Sequence, residues 1–408
     1  MSSVVTEPDP RLISDDANLA GAISGFRRRA TQGDLGMLPV IVGLIVIWAI
    51  FQGLNHNFLT ARNLTNLVLQ IAALATISVG IVLVLLLGEI DLSAGSVSGL
   101  CAAIMAVLNV KMGVPAVPAI LAGIVVGALI GLFQGTWFTR FNVPSFVVTL
   151  AGLLAWQGAL LFVLGPTGTI NLTDPTIVGL ANTFVPAAVG WALGIIAIVV
   201  YLGSHLFERR RRDAAGLRNG SVAGFVIQVA VLAVVLLLAI GVLNADRGVP
   251  SGLLILLLFI LVLQWVTTRT RFGRYIYAVG GNAEAARRAG IGVDWVRTWV
   301  FCLCSAMAAC GGILGASRLL AVNQSSGGSD LLLNAIAAAV IGGTSLFGGR
   351  GTVWAALLGA LVIGSISNGM DLLALASSVK FMITGAVLLL AVTIDALSRR
   401  GRVSAGRA

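Results

Sequence analysis

Long apolar runs separated by short polar or glycine-rich breaks fill the chain, and a helical run of about 17 to 25 apolar residues matches the hydrocarbon core of a bilayer. They lie near 37–54, 64–87, 94–110, 116–138, 143–164, 184–203, 222–243, 249–268, 298–320, 331–349, 352–373 and 378–397. The pattern predicts an all-α, polytopic membrane bundle of about 10 to 12 transmembrane helices over 37–397, with polar tails at 1–36 and 398–408. The run 331–349 is the least regular, and a re-entrant path there would alter the parity.

One polar interval is too structured for a connector. Residues 269–297 read RTRFGRYIYAVGGNAEAARRAGIGVDWVR, with six Arg against the two acids Glu284 and Asp294. Gly280-Gly281 and Gly290-Ile291-Gly292 bracket a segment in which Asn282 can cap, Glu284 stands at the positive helix end and Arg287 and Arg288 at the negative end. This predicts a short helix held in water beside the membrane.

Composition fits that picture. The chain is 58% hydrophobic and 10% charged with a mean hydropathy of +1.00, where a soluble domain carries about 25% charged residues. An even number of spans puts both termini on one side. The segments of that side hold 21 cations, among them Arg11, Arg27 to Arg29, Arg140, Arg209 to Arg212, Arg218, the six arginines of 269–297, Arg350 and the tail arginines 399, 400, 402 and 407. The other side holds Arg62, Lys111 and Arg247. The positive-inside rule then predicts cytoplasmic termini, and it accounts for the net charge of +10 without a nucleic-acid partner. Residues 1–36 contain five acids and no apolar core, so they read as a cytoplasmic tail rather than a signal peptide. The four Cys lie inside apolar runs and His56 and His205 near span ends, which predicts no metal or catalytic centre.

Gly123, Gly127, Gly131 and Gly135 recur every fourth residue in the fourth run, stripping one helix face so that a neighbour can approach closely. Ala356, Ala360 and Gly364 do the same in the eleventh. The segment 165–182 reads as a solvated loop or a docking surface.

Two elements break the apolar pattern. GEIDLSAGSVSG, residues 88–99, sets Glu89 and Asp91 among apolar neighbours with no cation nearby in sequence; Asp91, Ser93 and Ser96 could cap the next helix. Ionisable groups at membrane depth cost about 2.5 to 3.5 kcal/mol each and tend to face protein or water, which makes Glu89, Asp91 and Ser93 candidates for a pathway or gate. NAIAAAVIGGTSLFGGRGT, residues 334–352, is the second broken element. Paired broken segments in opposite halves point to a transporter built of repeated halves.

GEIDLSAGS, RFGRYIYAVGGNAEAARRAGI, NAIAAAVIGGTSLFGGRGT and ISNGMDLL (366–373) occur in that order, and the chain from about Phe58 to Ile394 resembles the permeases of bacterial ABC sugar importers. The group is that of ribose, xylose, arabinose and galactose, within the larger set that includes branched-chain amino acid permeases. Its length, with the extra runs at 184–243, is most similar to the xylose-type permeases. The resemblance implies a homodimer in the bacterial inner membrane, two cytoplasmic ATP-binding subunits, a periplasmic sugar-binding protein and an inverted-repeat core of about ten helices. It also implies that Gly280, Gly281, Asn282, Glu284, Arg287, Arg288 and Gly290 contact the ATPase. Asn368, with Asp371, joins the pathway or gate candidates as a polar group in an apolar run, although ordinary capping at a helix end explains both equally well. No GxxxxGK[ST] loop, catalytic cluster or cofactor motif is found, so energy is expected from a partner. The alternative is an ion-coupled secondary transporter of a small polar solute using Glu89 and Asp91.

Overall fold

The computed structural model describes residues 38–216 and 222–404, excluding the side chains at 223, 391–392 and 394–404. The tail at 1–36, Arg218, Arg407 and the side chains of Arg399, Arg400 and Arg402 lie outside these.

Every apolar run becomes helix over most of its length, as a backbone in lipid must satisfy its own polar groups. In chain order these are α1 (Leu38–Leu54), α2 (Ala61–Leu86), α3 (Ala94–Ala106), α4 (Ala116–Phe141), α5 (Ser145–Leu164), α6 (Pro175–Asn182), α7 (Ala187–Ala214), α8 (Val222–Asn244) and α9 (Ser251–Arg269). There follow α10 (Arg271–Gly281), α11 (Ala283–Arg288), α12 (Val293–Leu319), α13 (Ser329–Ile341), α14 (Trp354–Leu372) and α15 (Ser377–Ser404). A π-turn, Val107–Lys111, extends α3. Among the described residues nine helices are long and apolar enough to cross a membrane, while Leu38–Leu54, Ser329–Ile341 and the apolar part of α15 are shorter.

The irregularity of 331–349 has a physical form. Its 13-residue helix α13 rises about 20 Å, short of a core about 30 Å thick. From Gly342 the chain continues as turns with positive φ at Gly343, Gly348, Gly349 and Gly351.

Helix α12 is the central column of the bundle. The glycine face of α4 lies against it: a Cβ on Gly123 would stand 2.9 Å from the Cys101 carbonyl oxygen of α3, one on Gly127 2.8 Å from Ser305 O, and one on Gly135 2.8 Å from Thr298 Cα. Gly131 faces the Phe301 carbonyl more closely still. From the other side, a Cβ on Gly80 of α2 would lie 2.8 Å from Cys304 O, and Gly312 of α12 faces the Ser98 backbone of α3. Small residues thus bring α2, α3 and α4 to backbone contact with one helix. On α14, Ala356 and Ala360 are fully buried and Gly364 meets Ile71 of α2, while Gly359 packs on the Ala338 backbone of α13.

Two compact units emerge, one formed by 37–184 with 249–397 and the other holding 185–248. The second contains α7 and α8, which touch where Ile240 sits over Gly194 and Asn244 Nδ2 donates to Ala187 O. These two helices are the extra runs at 184–243.

In the larger unit, loops that the charge pattern assigns to one side gather at one end. Asn109 Nδ2 donates to Asp174 Oδ2 at 3.2 Å and Lys111 Nζ to Leu164 O at 3.1 Å. Strand β1 (Thr169–Asn171) pairs antiparallel with β2 (Ala321–Asn323). The segment 165–182 is therefore ordered: β1, then α6, whose first turn is capped by Asp174.

Candidate functional site

At the arginine-rich end of the larger unit, three glycine-bearing segments meet. Helix α2 ends at Leu86, and Gly88 turns the chain with φ +77°. Gly349 N–H, from the turns after α13, donates to Leu86 O at 2.9 Å. A Cβ on Gly88 would lie 3.3 Å from Phe347 O, and one on Gly348 would crowd the Gly280 carbonyl and Gly88. Gly280 completes the junction: a Cβ there would collide with Leu86 O and stand 2.8 Å from Gly349 N. The two broken elements are thus joined to each other and to the end of α10.

Helix α10 itself was not foreseen, because Gly280-Gly281 reads as punctuation before α11. Those glycines are instead the last residues of an 11-residue helix capped by Thr270, whose side chain accepts from Gly273 N. Ile276 and Val279 bury one face of it. Tyr277 Oη donates to Gly351 O at 2.9 Å, and burial raises its phenol above the ordinary value, keeping it a neutral donor.

Beyond α10, α11 has the predicted form. Asn282 Oδ1 accepts from Ala285 N at 2.9 Å, and Glu284 bridges to Arg287 and Arg288 at 3.4 and 3.1 Å. The Arg287 and Arg288 side chains are 56% and 79% exposed, so these pairs contribute little to stability and leave the surface available. Asn282 and Gly290 are exposed too, and Gly290 ends the turn with φ +83°. Gly281 is open, with nothing within 4 Å of a Cβ, whereas Gly280 faces the bundle.

Glu89 is not isolated. Arg297 Nη2 lies 3.0 Å from Glu89 Oε1, and Ser145 Oγ donates to Oε2 at 2.7 Å. The Arg297 guanidinium also stands 5.1 Å from the Phe138 ring centroid. Arg297 is thus a structural partner of the break between α2 and α3. Both groups line a groove of ≈ 390 Å³ with Phe138, Asn142, Ser145 and Phe146.

Asp91 is 2% exposed and stands two residues before Ser93, the N-cap of α3. Its Oδ1 accepts from Ser93 N at 2.8 Å and Ser93 Oγ at 2.7 Å, an Asx turn one step before the helix. Ser93 occupies the cap position without a side-chain cap bond, and Ser96 Oγ donates back to Ser93 O. Sequence reading missed Gln134, a lone amide in apolar α4 whose Oε1 lies 3.0 Å from Ser93 Oγ.

Asn368 lies at the other end of the unit. Its amide pairs reciprocally with Asn63, at 2.7 and 3.2 Å, so it is not part of the Glu89 and Asp91 region. Asp371 pairs with Lys380.

Comparison with known proteins agrees with this architecture. Residues 63–392 match the family model described as branched-chain amino acid transport system / permease component. The chain is 38% identical over 382 residues to the xylose transport system permease protein XylH of Escherichia coli K12, covering 93% of this chain and 96% of that one. It is 35% identical to XylH of Haemophilus influenzae, over 90% of this chain and 98% of that one. The ribose import permease protein RbsC of Escherichia coli K12 is 32% identical, over 91% and 97%. No solved structure matches the chain. The chain belongs to the family of the branched-chain amino acid transport system permease component.

Proposed function

We propose that this chain is the membrane permease subunit of an ATP-binding cassette importer that carries a monosaccharide, xylose or another pentose, into the cytoplasm. Similarity to xylose permeases over 93% of the chain favours the substrate class. The observation that carries the mechanism is the Gly280 junction, where α10 abuts both Leu86 and Gly349. In this reading the arginine-rich end is cytoplasmic and two copies form the pore. Gly281, Asn282, Glu284, Arg287, Arg288 and Gly290 present α11 to the ATPase, and α10 passes its movement to the two broken elements at once. A periplasmic binding protein delivers sugar at the opposite end.

Glu89 does not suit the role of a coupling-ion site, because both its oxygens are engaged by Arg297 and Ser145. Co-expression with the ATPase tests the assembly: tagged permease should copurify it, and Glu284→Ala with Arg287→Ala should weaken that capture. Capture unchanged by the double substitution refutes the α11 assignment. Competition by unlabelled pentoses and hexoses for uptake then identifies the sugar.

A further inference from the structure

The buried polar group around Asp91 takes no part in the Gly280 junction, and its proton count is informative. Ser93 Oγ lies 2.7 Å from Asp91 Oδ1 and 3.0 Å from Gln134 Oε1, two acceptors for one hydroxyl proton. Among the described residues, Gln134 Nε2 and Trp156 Nε1 are buried donors without a partner. Both converge on one point, the place a Cβ would occupy on Gly152: Trp156 Nε1 is 3.0 Å from it and Gln134 Nε2 closer still. Gly152 leaves room there for the amide.

Turning the Gln134 amide by half a revolution removes the first mismatch and sets an acceptor on the side of the second. Nε2 then donates to Ser93 Oγ, whose single proton goes to Asp91 Oδ1, while Oε1 turns to the point that Trp156 Nε1 also faces. Burial makes each unmet donor costly, so the satisfied arrangement is favoured. Asp91 Oδ1 also receives Ser93 N–H, and the Cys304 thiol of α12 lies beside the carboxyl.

We propose that Trp156, Gln134, Ser93 and Asp91 form one directional hydrogen-bond relay that ties the break between α2 and α3 to α4 and α5, making Gln134 and Trp156 positioning residues for transport. The transport role rests on the reading above; the relay itself does not. Three α4 and α5 features bear on it. Gln134 is 1% exposed, Trp156 meets Phe133 of α4 edge-on at 6.4 Å, and Thr149 Oγ1 of α5 lies 3.4 Å from Ile90 O in the same break.

The test uses the full permease reconstituted with its ATPase and binding protein. Trp156→Phe keeps the ring and removes only the N–H; Gln134→Leu removes the middle of the relay. Each should lower the sugar moved per ATP hydrolysed by about fivefold to tenfold, the scale of one lost buried hydrogen bond, while ATPase capture is unchanged. The double variant should be no worse than the poorer single one. Independently of transport, the indole N–H resonance of Trp156, assigned by its loss in Trp156→Phe, should shift in Gln134→Leu. An unmoved resonance overturns the relay, and so do fully additive losses. A shifted resonance with coupling unchanged retains the hydrogen bonds and overturns the positioning role. If the wild-type assembly moves no sugar, the transport reading fails while the resonance still decides the relay.

Discussion

Glu89 and Arg297 come from distant parts of the chain yet stand 3.0 Å apart, with side chains only 16% and 21% exposed. Such a pair is worth little against an apolar substitute, but losing one member strands the other charge in a site with restricted water. Arg297→Ala should therefore destabilise the permease by about 2 kcal/mol, read as a lowered melting temperature in detergent. Arg297→Lys should fall between the two, because lysine keeps the charge but loses the fork toward Glu89 and the flat face over Phe138. Equal melting temperatures for Arg297→Ala and wild type would show that the pair is not formed.

Adjacent glycines give a sharper contrast. A Cβ on Gly280 meets the backbone oxygen of Leu86, which cannot move aside without unseating the end of α2, whereas a Cβ on Gly281 meets nothing within 4 Å. Gly280→Ala should lose more than about 2 kcal/mol by overpacking and abolish transport. Gly281→Ala should change stability by about 0.5 kcal/mol or less. Transport assays on the two variants, at matched membrane expression, check this; equal behaviour would place the junction elsewhere.

On α11 stability and function should separate. The Glu284 pairs are exposed, so removing Glu284 and Arg287 together should leave the melting temperature of the isolated permease nearly unchanged. Asn282→Ala loses the cap and should cost about 1 kcal/mol locally. Amide hydrogen exchange over 283–288 should detect that fraying, and an unchanged exchange rate would contradict the cap.

Asn63 and Asn368 hold α2 to α14 through both halves of each amide, and Asn63 Nδ2 also donates to Phe58 O. Asn368→Ala should cost about 1 to 3 kcal/mol by leaving Asn63 partly unmet. Asn368→Asp should also destabilise, since a carboxylate can accept from Asn63 but cannot donate to it. Thermal unfolding of both variants provides the measurement.

Much of the architecture was legible because its signals are local. Apolar length located the nine described helices long enough to cross a membrane and three shorter ones, the four-residue glycine period located the α4 face that packs on α12, and Asn282 with Glu284 marked α11. The site was legible only in pieces. Gly280-Gly281 carries the same letters whether it only precedes a helix or also ends one, and the helix Arg271–Gly281 shows the latter. Glu89 finds its cation through tertiary contact, which spacing does not reveal. Asp91 was legible as a polar group in an apolar setting, but its partner Gln134 lies on another helix and announces itself only as one amide in a long apolar run. Asn368 was grouped with the break residues by polarity, and its reciprocal bond to Asn63 places it at the far end of α2.

The central claim is that movement enters through α11 and α10 and reaches both broken elements at Gly280. Its most direct test is uptake of labelled xylose by proteoliposomes containing the permease, its ATPase and its binding protein. Uptake should require ATP inside the vesicle on the ATPase side, and should vanish in Gly280→Ala while the ATPase stays bound. Uptake that persists without the ATPase and follows an imposed pH gradient would contradict the account.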